Sequence, residues 1–401
     1  MNTEFLPLYG DGIHDDTAAI QQRIDSGLCE LVLPAPEKFY LISKTLELPS
    51  NFRLVLPRYA EIRLADGANC FMIRNRQPNE EKTGFFNTSI PIEDEDYSRN
   101  IEIYGGIWNL NNMGQSPNPM WVPGAGPEGY IGFGMVFYAV KGFKLSNMTL
   151  KDPVNFAATL DRVEYFTVED IDFDFNDGNP VPVNMDGIHL NGNCHYGVIR
   201  NLKGACYDDT VAINADEGSD GPITNIEVSG IWATQCHSAV RLLTGRNIVE
   251  HIHIHDIYGT YFQYCVGFTN QANRAVTGHF AHITIEKIYA SKAPRYSKYM
   301  KDGMGIFALF FFEKGCCVRD VSVSDFHRKE AENPFPAFDF EPESSVGQLN
   351  LERIYTENQT GKEMPLMRVS GKIEKLNSRI IFTENDPFIV GSGEITEKNC
   401  L

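Results

Sequence analysis

A six-residue pattern of apolar and polar positions recurs along most of the chain. In each copy two apolar residues flank a variable one, two polar residues follow, and a third apolar residue ends the unit; successive copies lie 23 to 42 residues apart. Strict alternation without a helical period predicts short β-strands, and the polar pair marks a place where a strand can bend. The clearest copies are FKLSNM (143–148), FTVEDI (166–171), IEVSGI (226–231), IHIHDI (252–257), ITIEKI (283–288), VSVSDF (321–326) and LNLERI (349–354). Weaker copies are IEIYGG (101–106) and GVIRNL (197–202), whose second apolar residues are Ile103 and Ile199.

Repeats of this period are typical of solenoids and propellers, in which each unit buries its apolar face against the next. A propeller would need four hairpins and a signature in every blade, and the chain has neither. The sequence therefore predicts an all-β fold, a single-stranded parallel β-helix (solenoid) of about ten coils. We expect it to be right-handed, as crossovers between parallel strands are, and to form a single domain over residues 1–401.

The two kinds of segment outside the repeat predict a cap and loops. Asp15-Asp16-Thr17 precedes AAIQQRID, in which Ala19, Ile20 and Ile24 share one helical face, so we expect an N-terminal capping helix within an end cap of about residues 1–45. We expect loop insertions at about 76–98, 109–132 and 291–303. The last one contains the cations Arg295, Lys298 and Lys301. Either a solvated loop or a cationic wall of a binding groove fits these three residues.

Composition narrows the possible partners and the compartment. The net charge of −18 argues against a nucleic-acid or anionic membrane partner, and no apolar run approaches the roughly 20 residues of a membrane span. Residues 1–10 lack a basic and then apolar signal region. We therefore expect a cytoplasmic protein, or a secreted one if a leader has been removed. The sequence is compatible with a homo-oligomer.

The cysteines and histidines do not predict a metal or cofactor. The nine cysteines have no framework spacing and no paired Cys-x-x-Cys, which favours reduced thiols that pack as small core residues. His251, His253 and His255 alternate with isoleucines and are expected on one face of a strand. Such a row could bind a metal, but a solvated face is the commoner arrangement. We expect no metal site and no cofactor.

The segment CYDDTVAIN (206–214) places two aspartates directly before an apolar strand. Coils of a β-helix stack about 4.8 Å apart, so residues at equal register are neighbours. Asp208 and His237 each follow their repeat's second apolar residue by nine positions, and should be neighbours. Asp209 and Asp186 each open a strand and should also stack. Three carboxylates and a histidine are thus expected to converge, in a groove with further polar residues: His189, Asn191, Asn214 and Arg241.

A cluster of carboxylates has an obvious chemical use. Like charges at close range separate the pKa values of the group, which leaves one protonated acid beside ionised bases. Inverting glycoside hydrolysis needs this arrangement, because one carboxylic acid protonates the leaving oxygen while another carboxylate activates water. A polar ladder that only ends the strands is the alternative.

Three motifs resemble those of the polygalacturonase-type glycoside hydrolases, glycoside hydrolase family 28. They are NMDGI (184–188), YDDTVAI (207–213) and CHS (236–238), and GDGIHDDTAAIQ (10–21) is similar to the N-terminal signature of pectate-lyase-like β-helices. The resemblance implies that Asp208 is the general acid and that Asp186 and Asp209 position and deprotonate the water. It also implies that Asn184 contacts substrate and that His237 tunes the acid.

The chain departs from the family pattern at the groove. Tyr207 replaces the glycine before the double aspartate, and Cys236 and Ser238 replace the glycines that flank the histidine. The family's Arg-x-Lys motif, which binds a sugar carboxylate, is absent at CVGFTN (265–270). Arg241 faces the same groove and either substitutes for it or holds the aspartates ionised. We favour the second role, with a neutral or weakly acidic sugar.

Three functions compete. The first is an inverting, exo-acting glycosidase that cleaves an oligosaccharide or polysaccharide with the aspartate trio. The second is another carbohydrate-active β-helix enzyme, either a polysaccharide lyase or a fructan-type transferase. The third is a non-catalytic carbohydrate-binding solenoid. We favour the first, because a uronate lyase needs a basic residue in the carboxylate cluster and a binding protein needs no cluster at all.

Overall fold

The computed structural model describes residues 5–79, 91–270, 277–294, 305–384 and 386–400. The chain divides into two compact units, Met1–His189 with Cys194–Val198, and Leu190–Asn193 with Ile199–Leu401. The single-domain organisation stays a prediction. Within the described ranges no helix is long and apolar enough to cross a membrane.

Nearly all of the regular structure is β-strand. The single α-helix of the described residues, α1, spans Thr17–Ile24, and short 3-10 helices span Asp94–Asp96 and Asn112–Gly114. The strands are β1 (Glu30–Val32), β2 (Phe39–Ile42), β3 (Leu46–Leu48), β4 (Phe52–Val55), β5 (Glu61–Leu64), β6 (Ile73–Asn75), β7 (Ser98–Tyr104), β8 (Ile107–Asn109), β9 (Met135–Lys151), β10 (Ala158–Asp174), β11 (Ile188–Leu190), β12 (His195–Lys203), β13 (Asp209–Asn214), β14 (Ile223–Cys236), β15 (Ser238–Leu243), β16 (Ile248–Tyr261), β17 (Val266–Thr269), β18 (Gly278–Lys292), β19 (Phe310–Phe312), β20 (Cys316–Glu330), β21 (Phe338–Phe340), β22 (Ser345–Asn358), β23 (Met367–Val369), β24 (Lys372–Phe382), β25 (Ile389–Val390) and β26 (Glu394–Cys400).

The first unit stacks its strands in parallel ladders. One ladder runs β1, β4, β7, β9, β10, a second runs β2, β5, β8, β9, and a third runs β3, β6, β9. The core column of the first ladder pairs Leu54 with Ile103, Ile103 with Leu145 and Leu145 with Val168. All four side chains are fully buried. The predicted repeat therefore stacks in register here.

The second unit is built in the same way, from two parallel ladders. The longer strands follow the order β14, β16, β18, β20, β22, β24, β26, and the shorter ones β13, β15, β17, β19, β21, β23, β25. Equivalent apolar residues again pair from coil to coil and are buried: Val228, Ile254, Ile285, Val323 and Leu351. The prediction of an all-β parallel β-helix is confirmed.

The polar pair of each repeat marks a bend in the backbone, as expected. Its second residue has a positive φ, a conformation that costs most L-residues energy and is commonest for Gly, Asn and Asp. The bend therefore explains why a polar residue recurs at this position. The values of φ are 57° at Asn147, 56° at Asp170, 67° at Gly230, 55° at Asp256, 53° at Lys287, 52° at Asp325 and 54° at Arg353.

The predicted N-terminal helix is present, but the side chain of Asp16 does not cap it. α1 buries Thr17, Ala19, Ile20 and Ile24. Asp16 makes no capping hydrogen bond through its side chain; its carboxylate instead accepts the N–H groups of Tyr9 and Gly10, at 2.6 and 3.1 Å. The aspartate thus fastens the preceding segment to the start of the helix.

The interrupting segments are described in part. In 109–132 the structure has a 3-10 helix and no strand beyond Asn109, the last residue of β8. Residues 80–90 of the first segment lie outside the described residues. So do residues 295–304, which contain the cations Arg295, Lys298 and Lys301, and the cationic-wall interpretation stays a prediction. No disulfide joins cysteines of the described part of the chain.

Candidate active site

In the second unit, Asp208 and Asp209 lie where the chain turns into β13. Ser238 N–H donates to the carbonyl of Asp208 at 3.2 Å, which ties this turn to the next coil. The side chain of Asp208 is 20% exposed, whereas that of Asp209 is only 1% exposed. Two neighbouring carboxylates therefore occupy different surroundings, one open to solvent and the other enclosed by protein.

His237 lies beside the more exposed aspartate. Its Nδ1 is 3.3 Å from Asp208 Oδ1. Neither ring nitrogen of His237 has a well-aligned hydrogen-bond partner within the described residues, and the side chain is 11% exposed. The imidazole can thus contact Asp208 and still offer a nitrogen to a bound molecule.

Asp209 is enclosed by a cation and a phenol. Arg241 Nη1 lies 3.8 Å from Asp209 Oδ2, and Tyr264 Oη donates to Asp209 Oδ1 at 3.3 Å. Burial, together with the charges of Asp209 and Asp208, raises the pKa of Tyr264 well above its ordinary value. The phenol therefore keeps its proton, and both neighbours of Asp209 stabilise its ionised form.

Arg241 is held in place from the next coil. Its Nε donates to Thr269 Oγ1 at 3.0 Å. Burial alone would lower the pKa of Arg241, but the acidic groups around it, with Tyr264 and Asp209 foremost, raise it overall. The guanidinium therefore stays charged. Its position corresponds to that of Ala212 on one side and Gly267 on the other, and these small residues leave room for it.

Gly267 occupies the place where the resemblance leads one to expect a cation. A Cβ at this position would lie 2.7 Å from the Tyr264 ring, so the ring packs directly against the glycine backbone. Tyr264 thus fills the space that a longer side chain on β17 would use. Among the described residues of this part of the groove, the cation beside Asp209 is Arg241.

Tyr264 is the site residue that our sequence reasoning missed. It follows the second apolar residue of its repeat, Ile254, by ten positions, as Asp209 follows Ile199 and Ser238 follows Val228. Asp209 pairs with Ser238 in the sheet, and Ser238 is small enough for Tyr264 to reach past it. Extending the register count by one more coil would have identified this tyrosine.

In the first unit, Asp186 and His189 form a buried pair. His189 Nδ1 lies 2.6 Å from Asp186 Oδ2. His189 is only 1% exposed and Asp186 only 3%. The His189 ring stacks on Phe156 at 3.8 Å between centroids, and Phe156 stacks on Phe133 at 4.5 Å. An aromatic layer therefore fixes His189, and His189 fixes the carboxylate.

Asn184, His189 and Asp186 are the predicted site residues of the first unit. Asn184 has a positive φ of 53°, just before Asp186. His189, expected to line the groove, is buried against Phe156. The expected stacking of Asp186 beside Asp209 concerns residues of different units and stays a prediction, as do the catalytic roles of all three aspartates.

Residues 99–290 match the family model of Glycosyl hydrolases family 28, a range that includes every residue of the candidate site. No curated protein matches the chain.

Solved structures share the fold at low sequence identity. The family 28 exopolygalacturonase of Yersinia enterocolitica is 15% identical, with a TM-score of 0.57 over 98% of this chain and 76% of that one. The endo-xylogalacturonan hydrolase of Aspergillus tubingensis is 14% identical, with a TM-score of 0.59 over 96% and 98%. The surface adhesin PfbA of Streptococcus pneumoniae is 16% identical, with a TM-score of 0.53 over 98% and 87%. Since these proteins differ in function, the likeness shows the fold, and the site has to decide the activity.

Proposed function

We propose that this chain is a family 28-like glycosidase, an enzyme that hydrolyses the O-glycosyl bonds of an oligosaccharide or polysaccharide, and that it works with inversion from one end of an oligosaccharide. The observation that carries the proposal is the contrast between adjacent aspartates. Asp208 is partly open beside His237, whereas Asp209 is enclosed by Arg241 and Tyr264. This contrast supplies an acid and a base within one site.

Asp208 is the proposed general acid. A proton donor must reach the glycosidic oxygen, so it needs access to the groove, and the exposed fraction of Asp208 provides that. It transfers its proton to the leaving oxygen as the bond to the anomeric carbon breaks. His237, 3.3 Å away, positions this carboxyl and offers its other nitrogen to the substrate.

Asp209 is the proposed base, together with Asp186. The positive charge of Arg241 and the hydrogen bond from Tyr264 keep Asp209 ionised, and the bond to His189 orients Asp186. The carboxylates accept a proton from a water molecule, whose oxygen attacks the anomeric carbon from the face opposite the leaving group. Inversion requires room for this water, with acid and base about 6.5–9.5 Å apart, whereas a carboxylate oxygen of Asp208 and one of Asp209 lie within 4.8 Å of each other. The anomeric configuration of the product therefore tests inversion directly.

The proposed substrate is a neutral or weakly acidic sugar. Arg241 already has partners in Asp209 and Thr269. Its charge therefore stabilises the proposed base rather than a carboxylate of the substrate. The exo mode is supported by the likeness to an exopolygalacturonase. The likeness to an endo-acting hydrolase makes the mode of attack part of the test.

A panel of oligosaccharides tests the proposal. We expect a new reducing end, release of units from one terminus, and a product whose anomeric configuration is inverted when followed by proton NMR at early times. An unsaturated product that absorbs in the ultraviolet would instead identify a lyase. Binding without any cleavage, in an intact protein, would identify a carbohydrate-binding solenoid. Asp186→Asn is the matched inactive control.

A further inference from the structure

Two exposed histidines of the second unit stack on consecutive coils. Glu250 pairs with Ala281 and Ile252 with Ile283, so His251 and His282 are neighbours on consecutive coils. Their ring centroids are 4.7 Å apart, and the planes differ by 22°. Both residues have a positive φ, 56° and 54°.

The three histidines of β16 make different ring contacts. Strict alternation predicted that His251, His253 and His255 share one strand face. In the structure His253 and His255 lie together, with ring centroids 4.4 Å apart, and have carboxylate partners at 3.3 Å in Glu286 and at 2.6 Å in Asp256. The His251 ring instead stacks on that of His282.

A carboxylate completes the group around the two imidazoles. Glu250, His251 and His282 each offer one ligand atom, and these atoms lie within 4.8 Å of one another. Ligand atoms around a tetrahedral zinc ion are about 3.3 Å apart, given bonds of about 2.0–2.1 Å. Both histidines are exposed and the glutamate is half-buried, so rotation of the side chains can bring the three atoms together.

Asp320 gives an independent indication that His282 is oriented for binding. Asp320 Oδ2 lies 3.1 Å from His282 Nδ1. A carboxylate on one ring nitrogen fixes the tautomer and orientation and increases the basicity of the other nitrogen, an arrangement that recurs behind metal-bound histidines. Asp320 lies on β20, one coil beyond His282, and therefore supports the site from a third strand.

We propose that Glu250, His251 and His282 bind a divalent transition-metal ion, supported by Asp320. Two imidazoles and one carboxylate suit zinc, copper or nickel, whereas magnesium and calcium prefer oxygen ligands throughout. The ion would link β16 to β18 directly and β20 through Asp320. Because a site built from separate coils exists only in the folded chain, occupancy stabilises the fold.

Titration of the full-length protein with zinc chloride, followed by calorimetry, tests this site. We expect a binding event that is weakened at least tenfold in both His251→Asn and His282→Asn. Asp320→Asn should weaken it by about 10- to 100-fold, the usual effect of removing such a supporting carboxylate. The matched control is His253→Asn, which removes a histidine of the same strand as His251 whose side chain is as exposed as that of His282, 42% against 41%, and should leave the affinity unchanged.

Further measurements exclude other sources of zinc binding. Cobalt(II) in place of zinc should give no thiolate charge-transfer band, which rules out the exposed cysteines Cys29 and Cys400. Melting temperatures without metal should agree among the variants, and zinc should raise the melting temperature only where the site is intact. Glu250→Gln is a second variant if a histidine variant fails to fold. No zinc binding, binding that persists in His251→Asn and His282→Asn, or equal loss in His253→Asn would overturn the proposal.

Discussion

Replacement of Tyr264 by phenylalanine should move the acidic limb of the pH–rate profile. The change removes only the hydroxyl that donates to Asp209. The ring stays, packed against Gly267 and stacked near Phe311 at 6.2 Å between centroids. The substitution therefore tests the hydrogen bond to the proposed base with little change in volume.

The expected size follows from the geometry of this bond. Hydrogen bonds to charged groups contribute about 1.5–3 kcal/mol, and the strongest have O···O distances of about 2.5–2.7 Å. At 3.3 Å the bond is long, so we take the lower end, about 1.5 kcal/mol. About 1.4 kcal/mol corresponds to one pKa unit. The pKa that defines the acidic limb of the profile should therefore rise by roughly one unit. The sign is upward, because loss of the donor favours the protonated carboxyl.

The assay is kcat/KM against pH on the oligosaccharide that the panel identifies. Tyr261→Phe is the matched control, because Tyr261 is also fully buried and its hydroxyl donates to the carbonyl of Tyr258, at 3.2 Å, instead of a site residue. We expect the control profile to overlay that of the wild type. If the Tyr264→Phe profile also overlays it, or if both variants shift alike, the hydroxyl does not control the base and the reasoning fails.

Other substitutions test the remaining parts of the site. Asp208→Asn and Asp209→Asn should each lower kcat by about 10²- to 10⁴-fold, the usual value of general acid or base assistance, with an unchanged melting temperature; near-normal rates would remove them from the mechanism. Arg241→Lys should lower kcat and shift the pH profile with little change in KM; an increase in KM confined to uronate-bearing substrates, at constant kcat, would instead make Arg241 a carboxylate clamp. Gly267→Ala should displace the Tyr264 ring, because its Cβ would lie 2.7 Å from that ring, and reproduce the Tyr264→Phe profile with added loss of stability; an unshifted profile would contradict this.

The repeat made the coil structure predictable from local rules. Alternation of apolar and polar residues determines which side chains a strand can bury, and Asn147, Asp170 and Asp256 mark bends because their residue types tolerate a positive φ. Both rules act within a few residues, so they can be read without knowing what packs against the segment. The column from Val228 to Leu351 then follows from stacking identical units.

Counting residues within the repeat also predicted part of the site. The same count placed Asp208 near His237, and the structure has them 3.3 Å apart. The count failed where a side chain reaches beyond its nearest coil, as Tyr264 does past Ser238 to Asp209.

The sequence by itself determined the strands, their bends and the order in which they stack, because these depend on backbone stereochemistry and on the burial of alternate residues. Only the tertiary structure decided which carboxylate is enclosed and which is open. That difference depends on the reach of Tyr264, on the small residues Ala212 and Gly267 beside Arg241, and on distances of 3 to 4 Å between side chains of different coils. Such distances follow from packing in three dimensions, and no local pattern encodes them.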